Sequence, residues 1–114
     1  MALDILRIFI FVLISIVSLN AAGSNNDFIE VELILQSHKF EPDVIEIPSG
    51  KKIKLIVKNL DDSVEEFDSV DLKRERIVPG KATIYIILAP LKPGKYNFIG
   101  EFHHETAKGV IIVN

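Results

Sequence analysis

The chain has 114 residues, a formal net charge of −3, no cysteine, and one methionine, at its first position. A mildly acidic chain without a basic run lacks the electrostatic footprint that holds nucleic acid. Without thiols it has neither a disulfide staple nor a thiolate for a metal or a substrate, and without an internal methionine it lacks the other soft sulfur donor that favours Cu(I).

Residues 1–22 read as a secretory signal peptide. A short start carries Asp4 and Arg7, an apolar run interrupted only by Ser15 fills 8–17, and the small residues Ala21, Ala22 and Gly23 follow. The apolar run is shorter than the ~20 residues that cross a bilayer, which favours cleavage over an uncleaved N-terminal membrane anchor. A periplasmic or otherwise exported protein is expected. Losing 1–22 removes one acid and one base, so the net charge is unchanged. Residues 23–28 form a polar spacer, and 29–114, about 90 residues, suffice for one domain around one core.

From Ile29 onward the pattern is that of strands. Ile29, Val31, Leu33 and Leu35 alternate with Glu30, Glu32 and Gln36, the period of two of a half-buried strand. The stretch from Ser37 to Pro42 turns the chain, Val44, Ile45 and Ile47 follow, and Pro48-Ser49-Gly50 is strong turn punctuation. Ile53, Leu55 and Val57 face one way, with Lys52, Lys54 and Lys58 on the wet side. Asn59 to Ser63 is a loop by composition, and 64–68 a short strand carrying Glu65 and Glu66.

Residues 71–75 are expected to form one turn of helix. Pro79-Gly80 closes that region, and 82–89, apolar on both sides, reads as a central strand. After the Pro90–Gly94 turn, strands at 96–99 and 110–113 flank a polar loop that holds His103, His104, Glu101 and Glu105. About seven short strands with regular turn signals and no convincing helix predict an all-β, Greek-key β-sandwich.

Phe40-x-Pro42, Pro48-x-Gly50, Asn59, Pro79-Gly80, Leu91-x-Pro93-Gly94-x-Tyr96-x-Phe98, His103 and Gly109-x-x-x-Val113 together resemble the cupredoxins over nearly all of 29–113. Blue-copper members place one His shortly after the Asn of the middle strand, and a Cys, a second His and usually a Met on the last loop. The resemblance sets Glu66 at the first His, Gly100 or Glu101 at the Cys, His103 at the second His, and Ala107 near the Met. Only His103 keeps its type, so type 1 blue copper is not expected.

Glu65-Glu66-Phe67-Asp68-Ser69, Leu72-x-Arg74-Glu75, and Gly100-Glu101-Phe102-His103 with Thr106-Ala107-x-Gly109 are similar to the cysteine-lacking cupredoxin-like proteins of bacterial periplasmic iron uptake. That resemblance implies a metal-binding component handling iron or copper, with a redox step as an option. Its implied partners are an inner-membrane iron permease or another periplasmic iron-uptake protein.

The resemblance brings Glu66 and the last loop to one end of the sandwich. If 101–103 stay extended, Glu101 and His103 point to one side, roughly 7 Å apart, and Phe102 points to the core. Glu66, Glu101 and His103 are then the candidate ligands of an oxygen/nitrogen site suited to iron, Cu(II), Mn(II) or Zn(II). His38, Glu75 and His104 are weaker candidates, each with a bland counterpart: a hydrogen-bonded turn, an ion pair with a neighbouring base, and a solvated loop. Glu65 is an equally plausible surface partner beside Glu66. No strained nucleophile elbow or phosphate-cradling glycine loop supports an enzyme, and ferroxidase chemistry would extend the metal reading. The alternative function is a metal-free structural or protein-interaction module.

Overall fold

A computed structural model describes residues 28–114. The expected signal peptide and most of the spacer lie outside these residues; Phe28, placed in the spacer by composition, opens the first strand. Nine strands form two sheets: β1 (Phe28–Gln36), β2 (Lys39–Glu41), β3 (Val44–Ile47), β4 (Lys52–Asn59), β5 (Glu65–Ser69), β6 (Arg74–Val78), β7 (Thr83–Leu88), β8 (Gly94–Gly100) and β9 (Lys108–Val113). One sheet has the order β2-β1-β4-β7 and the other β3-β9-β8-β5-β6. β1 runs parallel to β4 and β3 parallel to β9, while the remaining pairs are antiparallel. The Greek-key sandwich is therefore present, with more strands than the seven expected. No helix among the described residues is long and apolar enough to cross a membrane.

The period of two decides what lies between the sheets. Leu33 and Leu35 of β1, Ile53, Leu55 and Val57 of β4, Phe67 of β5, Phe98 of β8 and Ile111 of β9 are almost fully buried. Phe40, Phe67 and Phe98 pack as a trio, their ring centroids 5.2 to 6.3 Å apart. Burying each such ring contributes about 1.5–3 kcal/mol, the stabilisation a domain without disulfides depends on. The outward residues of β4 are, apart from Ile56, the expected lysines, and Lys54 and Lys58 pair with Glu30 and Glu32 of β1.

Three local expectations are corrected. The stretch 71–75 is not a helical turn: after a short turn through Lys73 (φ 59°), Arg74 begins β6. The apolar run 82–89 is not central, because β7 is the last strand of its sheet and exposes Tyr85 and Ile87. Arg74 Nη2 donates to the Ile87 carbonyl and Arg76 Nη1 to the Tyr85 carbonyl, so β6 caps acceptors on that open edge. Finally, Glu101–His103 is a 3-10 turn rather than extended chain, and it exposes Phe102 instead of directing it to the core.

Candidate metal centre at one end of the sandwich

Four connections meet at one end of the molecule: the β1–β2 turn, the loop after β4, the loop before β7, and the segment between β8 and β9. Asn59, buried at the end of β4, organises the second of these. Its Nδ2 donates to the carbonyls of Ser63, Val78 and Pro79, and its Oδ1 accepts from the Asp61 amide. Asp61 then accepts from the amides of Ser37 and His38, at 2.7 and 2.9 Å. Partial burial raises the Asp61 carboxyl, but the His38 and Ser37 amides, with the charges of His38 and Lys81, more than reverse this and hold it below the usual range.

Those bonds matter because Ser37 and His38 both lie at positive φ, 56° and 59°. A two-residue hairpin of this shape favours Asn-Gly, and side chains with a Cβ need outside support to stay there. Thr106 Oγ1 supplies more of it by donating to the His38 carbonyl at 2.7 Å. His38 is thereby held against His103, with ring centroids 3.6 Å apart and planes within 7°. Its Nε2 lies 3.4 Å from Ser63 Oγ.

The carboxylate that meets His103 is Glu65, not Glu66. Phe67 fills the core, so Glu65, two residues earlier on β5, shares its inward face and is 1% exposed. β5 pairs with β8 through Phe67 and Gly100, which sets Glu65 just beyond the end of β8 and beside the 3-10 turn. Glu65 Oε1 accepts from the amides of Phe102 (2.7 Å) and Glu66 (2.9 Å), and Oε2 lies 2.8 Å from His103 Nδ1. Sequence reading passed over Glu65 as a surface group. The signal that finds it is the alternation counted back from Phe67.

Glu66 alternates to the outer face of β5. Partial burial raises its carboxyl, and the charges of Glu75, Asp68, Glu101 and Glu65 raise it further. Two of the three principal candidates, Glu66 and Glu101, thus share an acidic cluster that includes the weaker candidate Glu75. The third, His103, turns its Nδ1 to Glu65. His104 caps the 3-10 turn and is exposed. Among the described residues, no three His, Asp or Glu side chains converge on a point that would hold an ion as they stand. The donors are nitrogen and oxygen only, a chemistry that fits a hard or borderline ion.

A family model for the cupredoxin-like domain matches residues 6–113. The chain belongs to the cupredoxin-like family. With no cysteine, it is a cupredoxin without a type 1 blue-copper site. It is 49% identical over 107 residues to an uncharacterized protein of Rickettsia prowazekii (strain Madrid E), spanning 93% of this chain and 86% of that one. Among solved structures it is similar to auracyanin A, a "blue" copper protein of Chloroflexus aurantiacus, with a TM-score of 0.66, 12% identity, and coverage of 76% of this chain and 99% of that one. It is also similar to the metal-binding domain of a Cu(I)-exporting P-type ATPase of Streptococcus pneumoniae, with a TM-score of 0.67, 14% identity, and coverage of 82% and 92%. At these identities the likeness concerns the fold.

Proposed function

We propose that this cupredoxin-like protein is exported and binds one iron or copper ion through a thiolate-free site of His103 with Glu66 and Glu101. His38, Glu75 and His104 are the additional donor candidates. The observation that carries the reading is an imidazole anchored on the buried Glu65 carboxylate, next in sequence to Glu66, whose carboxyl is raised by partial burial and by the charges of Glu75, Asp68, Glu101 and Glu65. A cation relieves that repulsion, and modest side-chain movement would add oxygen donors to the His103 nitrogen. Copper enters because the structural neighbours named above are copper proteins. Iron enters through the segments around Glu65, Leu72 and Gly100 that are similar to periplasmic iron-uptake proteins. On this reading the protein hands an ion to, or receives it from, an inner-membrane iron permease or another periplasmic iron-uptake protein. An Fe(II)-dependent oxygen uptake would add a ferroxidase step.

Titration of the purified protein with Cu(II), Fe(II) and Fe(III), with metal analysis and EPR, tests this. One ion per chain is expected, with affinity lowered about 10-fold or more in His103→Ala, in line with loss of a nitrogen ligand. No stoichiometric binding, or binding indifferent to His103, favours a second reading: a metal-free sandwich that acts by contact. The mutual satisfaction of Glu65, His103 and His38 is the observation on that side.

A further inference from the structure

We propose that the end of the sandwich opposite His103 is a docking surface for an anionic lipid bilayer. The inference goes beyond metal binding and needs no ion at the other end; it rests only on export.

Strand direction places the groups. β1 and β4 start together, with Phe28 opposite Lys52, and β7 ends beside them, with Leu88 opposite Ile53. In the other sheet β8 starts at Gly94 opposite Val113, where β3 also ends at Ile47. The short connections 48–51 and 89–93 join these two sets of strand ends into one surface. The Ser49 amide donates to the Asn114 oxygen there, and the Tyr96 hydroxyl donates to the Lys92 carbonyl.

The side-chain charge of this surface has one sign. Residues 47–53 and 88–95 contain Lys51, Lys52, Lys92 and Lys95, and no Asp or Glu. All four lysines are exposed. Lys52, Lys92 and Lys95 form no ion pair among the described residues, whereas Lys54 and Lys58, further along β4, are matched by Glu30 and Glu32. Glu46 and Glu30, the next acids inward, lie within β3 and β1. A free carboxylate on Asn114 would still leave three of the four charges in excess.

Magnitudes decide whether this patch counts in a chain of net charge −3. Asp61, Asp62, Glu66, Glu101 and Glu105 lie towards the opposite end, which the eight residues of β4 set about 25 Å away. The screening length at physiological salt is about 8 Å, so a lipid surface touching the lysines hardly feels those carboxylates. Each lysine at an anionic surface strengthens binding about 5-fold.

The entry point of the chain supplies the second argument. Residues 1–27, with the apolar run 8–17, join the fold at Phe28. The Lys52 Nζ sits 5.6 Å from the centroid of that ring. The segment that a membrane handles during export thus meets the domain at its lysine-rich end, and a domain seated there turns His103 away from the bilayer.

Co-sedimentation of the exported, processed protein with phosphatidylglycerol/phosphatidylcholine vesicles at low salt tests this. Binding is expected to these vesicles and not to pure phosphatidylcholine, and it should vanish at about 0.5 M salt. Lys92→Gln/Lys95→Gln should weaken it about 25-fold. Lys39→Gln/Lys108→Gln makes the same change in net charge at exposed positions nearer the other end and should bind like the wild type. Both variants are checked for folding by their backbone amide spectra. Equal losses in the two variants overturn the docking surface, because net charge alone would then govern binding. Equal binding to charged and neutral vesicles, or binding to neither, also overturns it and leaves the lysines to an acidic protein or to solvent.

Discussion

Gly100 and Asp61 show how single positions hold this end of the sandwich together. At Gly100, a Cβ would also come within 2.8 Å of the Ala107 Cβ, so Gly100→Ala has to displace either the buried carboxylate or the start of β9. Overpacking of this kind costs about 1–3 kcal/mol, expected as a lower urea midpoint, and combining it with Glu65→Ala should recover part of the loss because one obstacle is gone. If the two substitutions simply add, the shared volume is not what matters. Asp61 acts through charge. Its carboxyl titrates lower in the folded protein than the ordinary 3.8, so its contribution is present above that pH and fades as pH falls through the folded value. Asp61→Asn should therefore cost about 1–2 kcal/mol at pH 7 through two weakened amide bonds. The gap between wild type and variant should narrow when unfolding is followed below pH 3.8. An equal gap at both pH values would show that the carboxylate charge is irrelevant to the turn.

At the scale of strands, β7 is the element most exposed to misuse. Its six uncharged residues, Thr83–Leu88, form a sheet edge with Tyr85 54% and Ile87 46% exposed. Open apolar edges invite pairing with another chain, and charged side chains are a common defence. Here the defence comes from the other sheet, through the Arg74 and Arg76 guanidinium groups on the Ile87 and Tyr85 carbonyls. The double variant Arg74→Ala/Arg76→Ala is expected to associate with rising concentration in size-exclusion chromatography with light scattering. A monomer at every concentration would mean that the edge needs no guard. The same strand shows why composition misplaced it. A run apolar on both sides looks doubly buried, yet an edge strand can keep that pattern when neighbouring side chains shelter its backbone.

Across the whole molecule, the architecture was legible because its signals are local. Alternation in β1 and β4, together with Pro48-Ser49-Gly50, Pro79-Gly80 and Pro93-Gly94, marks strands and the turns between them. The candidate centre was legible only in part. His103 and the loop that bears it stand out as polar residues between two strands. Which of Glu65 and Glu66 faces inward depends on the burial of Phe67. Whether 101–103 is extended depends on the Phe102 amide binding a carboxylate from 37 positions earlier, which no local pattern reports. The partnership of His38 with His103 likewise joins two turns through Asp61 and Thr106. The face-to-face imidazoles have a spectroscopic consequence. Protons above an aromatic ring are shielded by its circulating electrons, so the carbon-bound protons of His38 and His103 should resonate upfield of ordinary histidines. The protein thus carries its own unlabelled indicator, and any ion or partner that swings either ring aside will announce itself as a downfield return of those signals.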